Sequence, residues 1–370
     1  MQKKDEIQNI ALCNIMKTKK GTIAMATGVG KSKVFILMCI EMLKINSNLR
    51  ICLVVPTEKL RDENWKKEFS KWGQEDIYSK LDRYCYASIS KIKTSYDVIG
   101  LDEVHNLTEN NAVFLEKNKK AHILGMTATP PEELNKQELL AKYCPIIYSY
   151  SLIEGITDGI VLPFKIKIVE LSLDSTDKYI IAGSKDKPFK TTELAQHKYL
   201  TILINKARYL KNAKLEEFRI LHRMRFLYNL KSKTEIAKKI IDKYLINKKS
   251  IIFCGSIAQA EELCKNTYHS KTNNKALDRF ISGEINQISC VKALNEGINI
   301  PFLDAALIVQ GSSKKRELIQ RIGRCVRYRE NALAEIYILS ILNTQDQIWT
   351  ENAITDFPSE NIEYTNFKNI

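Results

Sequence analysis

A seven-residue segment, ATGVGKS at positions 26–32, has the composition of a phosphate-binding turn. Gly28 and Gly30 permit backbone conformations in which successive N–H groups surround an anion, and the helix expected to begin near Lys31 adds its positive end. In such a loop Lys31 reaches the β- and γ-phosphates and Ser32 binds magnesium. Met25 stands where the full pattern has a glycine, but an apolar strand precedes the segment and a helical pattern follows it. The segment therefore predicts a nucleotide site.

Two adjacent carboxylates end the strand-like run YDVIGLDEVH at positions 96–105. A nucleotide hydrolase needs one strand-end carboxylate to hold magnesium and a second to orient the attacking water. Asp102 and Glu103 are the candidates for these two roles. The alternative is a strand terminus with a solvated acidic pair.

Arginine recurs at every third position in QRIGRCVR, residues 320–327. Arg321, Arg324 and Arg327 would share one side of a helix, where like charges repel unless an anion lies among them. Combined with a phosphate loop in another lobe, the pattern predicts that Arg324 and Arg327 stabilise charge on the γ-phosphoryl group during hydrolysis. A solvated stripe is the alternative.

The charge distribution favours a polyanionic partner. The net charge is +14, and residues 206–249 hold 14 Lys or Arg against 4 Asp or Glu. No apolar run is long enough to cross a membrane, and the first residues lack the apolar region of a secretory signal. We therefore expect a cytoplasmic protein that is not secreted and contacts nucleic acid. A solvated lysine-rich helical surface is the alternative interpretation of residues 206–249.

Short β-branched runs alternate with helical patterns in the first 150 residues and again after about residue 250. This alternation is typical of parallel sheets covered by helices. The sequence thus predicts an α/β chain with a first lobe at 1–150, a connecting strand and basic helical insertion or linker at 151–235, and a second lobe at 236–370. Because ligands bind at the carboxyl ends of parallel strands, nucleic-acid contacts are expected at strand-end positions; these are Pro56, Thr57, Ser88, Gly255 and Ser256.

The ordered segments ATGVGKS, VVPTEKL, DEVH, GMTATP, ALNEGINIP and QRIGRCVR resemble motifs I, Ia, II, III, V and VI of superfamily 2 helicases, DExH group. The resemblance runs from about Gln8 to Arg327 and favours the DNA-acting branch with restriction-enzyme motors, phage recombination and repair helicases and the transcription-repair translocase. It implies two RecA-like lobes in tandem that use ATP and Mg²⁺.

The resemblance also implies roles for further positions. A nucleotide contact is implied for Gln8, Thr27, Val29, Gly297 and Asn299, with Asn299 standing where the family usually has aspartate. Catalytic roles are implied for Gln320 and His105, and coupling of the nucleotide state to nucleic acid for Thr127, Thr129 and Lys292.

Together these features predict an ATP-dependent helicase or translocase that acts on nucleic acid through its phosphate backbone, with DNA favoured over RNA. The sequence leaves two alternatives open, an RNA helicase or remodeller and a nucleotide-gated nucleic-acid clamp without processive unwinding. We expect no membrane contact, and any nuclease or loading function would come from a protein partner.

Overall fold

The structure is a computed structural model that describes residues 2–184, 186–291, 300, 303–311, 318, 321, 333–355 and 357–366. The chain divides into two compact units, with the division between Pro163 and Phe164. Each unit is built around a parallel sheet. No helix in the described ranges is both long and apolar enough to cross a membrane.

The first unit contains a six-stranded parallel sheet with the order β3-β2-β4-β5-β1-β6. Its strands are β1 (Lys20–Met25), β2 (Ile51–Val55), β3 (Asp82–Cys85), β4 (Val98–Asp102), β5 (His122–Thr127) and β6 (Ile146–Tyr150). Its α-helices are α1 (Gln2–Thr18), α2 (Lys31–Ile45), α3 (Trp65–Lys71), α4 (Glu75–Lys80), α5 (Tyr86–Ile89), α6 (Glu109–Lys117), α7 (Leu134–Tyr143) and α8 (Leu152–Thr157). A π-helical turn, Leu60–Asn64, leads directly into α3.

The central strands of this sheet are apolar runs because helices cover both faces. Strand β2 is buried at every position, and β4 is buried up to Asp102, where the side chain becomes partly exposed. The strand register pairs Ala24 with Thr127 and Asp102 with Met126. The ends of β1, β4 and β5 therefore lie side by side at one edge of the sheet.

The second unit contains a seven-stranded parallel sheet with the order β11-β12-β10-β13-β14-β7-β15. Its strands are β7 (Phe164–Leu171), β10 (Ser250–Phe253), β11 (Thr267–Tyr268), β12 (Gln287–Cys290), β13 (Ala305–Ile308), β14 (Ala334–Ile341) and β15 (Ile362–Asn366). A separate antiparallel hairpin consists of β8 (Ile180–Ser184) and β9 (Lys187–Thr191).

The described α-helices of the second unit are α9 (Glu193–Tyr209), α10 (Ala213–Tyr228), α11 (Lys231–Ile240), α12 (Ile257–Leu263), α13 (Lys275–Ser282) and α14 (Gln345–Ile354). Among them, the two long helices α9 and α10 lie in the chain between the hairpin and β10. The prediction of two parallel-sheet α/β lobes in tandem, of RecA-like architecture, is confirmed by this organisation.

The structure divides the chain at a different residue from the predicted lobe boundary. Helix α8 and the residues up to Pro163 belong to the first unit, whereas the sequence places its end at residue 150. The predicted connecting strand is β7, and it lies inside the second sheet, between β14 and β15. Alternating burial along β7, with Ile166 and Ile168 inside, explains why it joins that sheet.

Candidate functional site

The loop between β1 and α2 has the backbone geometry of an anion-binding turn. Gly28 and Gly30 have φ values of 93° and 104°, in the left-handed region that favours glycine. Gly30 is also the N-cap of α2, and it has no side chain to occupy the first N–H groups of that helix. The Lys31 ammonium lies over the turn and donates a hydrogen bond to the Met25 carbonyl at 2.9 Å. Phosphate oxygens fit this arrangement of N–H groups and positive charge.

Helix α1 lies against the same loop. Gln8 is only 2% exposed, and its Nε2 donates to the Val29 carbonyl at 2.7 Å. A Cβ atom at Gly30 would lie 2.3 Å from that nitrogen and would displace the Gln8 amide, and the φ of 104° strains any residue other than glycine. The Lys4 ammonium donates to the Gly28 carbonyl at 2.7 Å. Gln8 thus supports the loop directly, and its contact with a base stays a prediction.

Asp102 is held by two aromatic side chains at the end of β4. Trp65 Nε1 donates to Asp102 Oδ2 at 2.9 Å, and the Tyr86 hydroxyl donates to the Asp102 carbonyl at 3.0 Å. Burial, with a smaller contribution from the Asp102 charge, raises the pKa of Tyr86, so the hydroxyl stays a proton donor. The sequence identifies Asp102 as a candidate but gives no signal for Trp65 or Tyr86 as its partners.

Glu103 has a left-handed backbone, with φ 48° and ψ 56°. This conformation costs a residue other than glycine roughly 1–2 kcal/mol. Strain of this kind concentrates at functional sites, where the surrounding structure maintains it. Glu103 Oε2 lies 3.4 Å from Nδ1 of His105, and the Glu103 side chain is 19% exposed. A carboxylate that is fixed but still reaches solvent can orient a water molecule.

His105 connects the end of β4 to the end of β5. Its Nδ1 lies 3.2 Å from Thr127 Oγ1, and that hydroxyl donates its proton to the Thr129 carbonyl at 2.8 Å. Because a threonine hydroxyl has one proton, Thr127 must accept from His105, which places a proton on Nδ1. His105 Nε2 then accepts from Asn106 Nδ2 at 3.3 Å. The DEVH and TAT segments thus form one hydrogen-bonded unit.

A polar cavity of about 400 Å³ opens at the carboxyl ends of β2 and β3. We call it the asparagine pocket; its lining residues are Pro56, Tyr86, Ala87, Ser90, Asn106, Thr108, Asn110 and Asn111. Pro56 therefore lies where the sequence predicts. The Thr57 hydroxyl instead bonds the Leu60 N–H at 3.4 Å, and the Ser88 hydroxyl donates to the Cys85 carbonyl at 2.9 Å. The run HNLTENN, residues 105–111, is the signal that sequence reasoning missed.

The described strand-end residues of the second unit have structural partners. Gly255 packs against Tyr228, where an added Cβ would lie 2.8 Å from the tyrosine Cβ. The Ser256 hydroxyl caps α12 by accepting from the Gln259 N–H at 3.3 Å. Both residues follow β10 as expected, and their contact with nucleic acid stays a prediction.

Arg321, the first arginine of the predicted stripe, is buried within the second unit. It is 2% exposed, donates to the Gln310 carbonyl at 3.0 Å and lies 5.1 Å from the Phe253 ring centroid. The Arg321 guanidinium thus lies against the sheet of the second unit. The predicted site residues Lys292, Gly297, Asn299, Gln320, Arg324 and Arg327 lie outside the described residues.

Two protein families match the chain. Residues 2–90 and 77–132 match the family described as type III restriction enzyme, res subunit, and residues 232–329 match the helicase conserved C-terminal domain. The first match contains the phosphate loop and DEVH, and the second contains QRIGRCVR. The two families therefore follow one another along the chain in the order of its two units.

The chain is similar to the DNA 3'-5' translocase XPB2 of Sulfurisphaera tokodaii, with 26% identity. The alignment covers 88% of this chain and 79% of that relative. It is 23% identical to the type I restriction enzyme EcoAI endonuclease subunit of Escherichia coli, over 65% of this chain and 30% of that subunit. A solved structure, the ATP-dependent type ISP restriction-modification enzyme LlaBIII bound to DNA, matches 97% of this chain and 31% of its own with a TM-score of 0.63 and 14% identity. The chain thus spans less than a third of the two restriction enzymes.

Proposed function

Since the chain belongs to the superfamily 2 helicases, which hydrolyse ATP, we propose that it is an ATP-driven DNA translocase that moves in the 3'-to-5' direction. One observation carries this proposal. The phosphate loop, the Asp102–Glu103 pair and the His105–Thr127 hydrogen bond occupy one edge of one sheet. The DNA substrate and the direction are inferred from the relative named above.

The residues of this edge fit ATP and magnesium. Lys31 and the N–H groups at the start of α2 bind the β- and γ-phosphates, while Ser32 and Asp102 hold the metal. The magnesium held there would supply positive charge that offsets the negative charge developing during hydrolysis. Glu103 orients the attacking water and accepts its proton. Gln8 contributes by keeping the loop closed around the phosphates, since it bonds the Val29 carbonyl.

The asparagine pocket is the part of the first unit that we assign to the DNA backbone. Its amide and hydroxyl groups come from Ser90, Asn106, Asn110 and Asn111, and helix α6 begins beside them at Glu109. Neutral donors of this kind contact phosphate and sugar without reading bases. We therefore expect binding that is independent of sequence.

Asn106 connects this pocket with the hydrolysis site. It lines the pocket, and its Nδ2 donates to His105 Nε2, while His105 Nδ1 donates to Thr127. A backbone that engages Asn106 changes the hydrogen bonding of His105, which lies 3.4 Å from Glu103. This route explains how DNA stimulates hydrolysis.

The test is a nucleic-acid panel at one stated salt concentration, because backbone affinity depends steeply on salt. ATP hydrolysis is measured with duplex DNA, single-stranded DNA and structured RNA, with Lys31→Ala as the inactive control. DNA should stimulate hydrolysis more than RNA does. Direction is read from streptavidin displacement, which should be faster from the 5' end of a biotinylated strand. Stimulation by RNA alone, or ATP-dependent displacement only from the 3' end, would overturn the proposal.

A further inference from the structure

Trp65 connects the loop after β2 with the carboxylate of Asp102. Its indole nitrogen is a donor only, so the 2.9 Å contact to Asp102 Oδ2 has one possible polarity. Trp65 is 2% exposed and lies 37 residues before Asp102 in the chain. A buried aromatic N–H placed on a carboxylate fixes the rotation of that carboxylate.

The ring of Trp65 is itself held in place. It packs edge-on against Phe35 of α2 with a centroid separation of 5.7 Å, and against Phe69 of α3 at 6.1 Å. Phe35 in turn lies on Gly100 of β4, where an added Cβ would meet its ring at 2.5 Å. The indole therefore has one packed position, between the phosphate-loop helix and the strand that ends at Asp102.

The segment that carries Trp65 begins at the proposed DNA face. Pro56 lines the asparagine pocket, and Thr57 bonds the first residues of the π-helical turn Leu60–Asn64 through its hydroxyl and carbonyl. That turn ends where Trp65 begins α3. π-Helical turns inside helices are rare and frequent at functional sites. Fewer than three helical turns of chain thus separate Pro56 from the indole of Trp65.

Tyr86 makes a parallel connection. It lines the asparagine pocket, and its hydroxyl donates to the backbone carbonyl of Asp102 at 3.0 Å. The pocket and Asp102 are consequently joined at two points, through the carboxylate by Trp65 and through the main chain by Tyr86.

We propose that Trp65 is the positioning residue for the metal-binding carboxylate of Asp102, and that through it the DNA-facing segment after β2 sets the affinity of the site for magnesium. This inference rests on the proposed function. Groups that orient a metal ligand in this manner typically change metal affinity or activity by about 10- to 100-fold when removed.

The test compares Trp65→Phe, which keeps an aromatic ring against Phe35 and Phe69 but removes the N–H, with Trp72→Phe. Trp72 lies on the same segment, is 39% exposed and makes no contact with Asp102 among the described hydrogen bonds. The first measurement is the Mg²⁺ concentration that half-saturates the thermal stabilisation of the protein by ADP. It should rise about 10-fold in Trp65→Phe and stay unchanged in Trp72→Phe.

Binding of ADP without Mg²⁺ separates positioning from a general packing defect. It should be the same in both variants, since the phosphate loop is intact. An equal loss of ADP binding with and without Mg²⁺ would make Trp65 a packing residue and overturn the inference. The second measurement is stimulation of ATP hydrolysis by DNA at saturating Mg²⁺, which should fall in Trp65→Phe only.

A measurement on the unmodified protein keeps the inference testable if Trp65→Phe fails to fold. The chain has three tryptophans, so ¹⁵N-labelling gives three indole N–H signals, and Trp72→Phe and Trp349→Phe identify the remaining one. The Trp65 signal should shift when Mg²⁺ is added to the ADP complex and again when DNA is added. A Trp65 indole signal whose position does not change when Mg²⁺ is added would overturn the inference. If DNA has no effect on ATP hydrolysis by the unmodified protein, the proposed function is contradicted instead.

Discussion

An ion pair in the second unit allows a quantitative prediction. Lys233 of α11 lies 2.7 Å from Asp346 in the first turn of α14, and both side chains are 0% exposed. The same carboxylate oxygen, Oδ2, accepts the Ile341 N–H at 3.1 Å. We predict that Lys233→Met strongly lowers the free energy of unfolding, because it leaves a buried carboxylate without its cation.

The magnitude follows from the complete burial of the pair. Removing one partner of a buried ion pair costs about 3–5 kcal/mol. For a unit of this size, each kcal/mol shifts the melting temperature by about 2–4 °C, so the transition should fall by about 6–20 °C. This fall in melting temperature applies to the second unit. Calorimetry measures its unfolding transition separately when the two units unfold at different temperatures.

Lys231→Met is the matched control. Lys231 lies on the same helix, but its side chain is 55% exposed and its contact with Glu235 is 3.4 Å long. An exposed helical pair of this kind contributes about 0.3–0.5 kcal/mol. Lys233→Met combined with Asp346→Asn should recover much of the loss, since no charge then remains buried and the amide oxygen still accepts from Ile341. Equal melting temperatures for the two single methionine variants would refute the reasoning.

Three further predictions concern the first unit. Glu103→Gln should keep ATP affinity and slow hydrolysis by about 10²- to 10⁴-fold, and an unchanged turnover rate would remove Glu103 from the water-positioning role. Thr127→Val, which deletes the acceptor of His105 while keeping the shape, should lower the ratio of DNA-stimulated to basal hydrolysis; a ratio equal to that of the unmodified protein would contradict the coupling route. Burial raises the pKa of Cys144 to about 11, which leaves roughly one thiol in a thousand ionised at pH 8. A thiol reagent at pH 8 should therefore modify exposed Cys13 and leave Cys144 unmodified until the pH approaches 11. Peptide mass spectrometry measures the modification of Cys13 and of Cys144 separately. Rapid modification of Cys144 at pH 8 would contradict the prediction by showing that this thiol is accessible.

The elements that the sequence predicted well are those with a local signal. Strands β2 and β4 are continuous apolar runs, which identify buried parallel strands without any knowledge of their neighbours. The phosphate loop is equally local, since positive φ at Gly28 and Gly30 is a property of glycine itself. Function could be inferred from such segments because their chemistry depends on residues adjacent in the chain.

The features that sequence reasoning missed depend on contacts between distant residues. Nothing near Trp65 indicates that its indole bonds a carboxylate 37 positions later. Periodicity also grouped Arg321 with the arginines that follow it, although packing on Phe253 buries it. Likewise, the sequence predicts β7 only as a connecting strand, because the strands that pair with it, β14 and β15, come from the last part of the chain.

The position of β7 has a consequence for how the protein is made. On the ribosome, all six strands of the first sheet have been synthesised once Tyr150 is added, so that sheet can form early. Strand β7 follows after helix α8, but Phe164 pairs with Ala334 and Ile166 with Ile362. At about 5–20 residues per second, β7 waits roughly 10–30 s for its first partner strand, with both edges unpaired. The nascent chain thus exposes the apolar face of this strand throughout the synthesis of its basic helices, and we expect a chaperone to be needed during that interval.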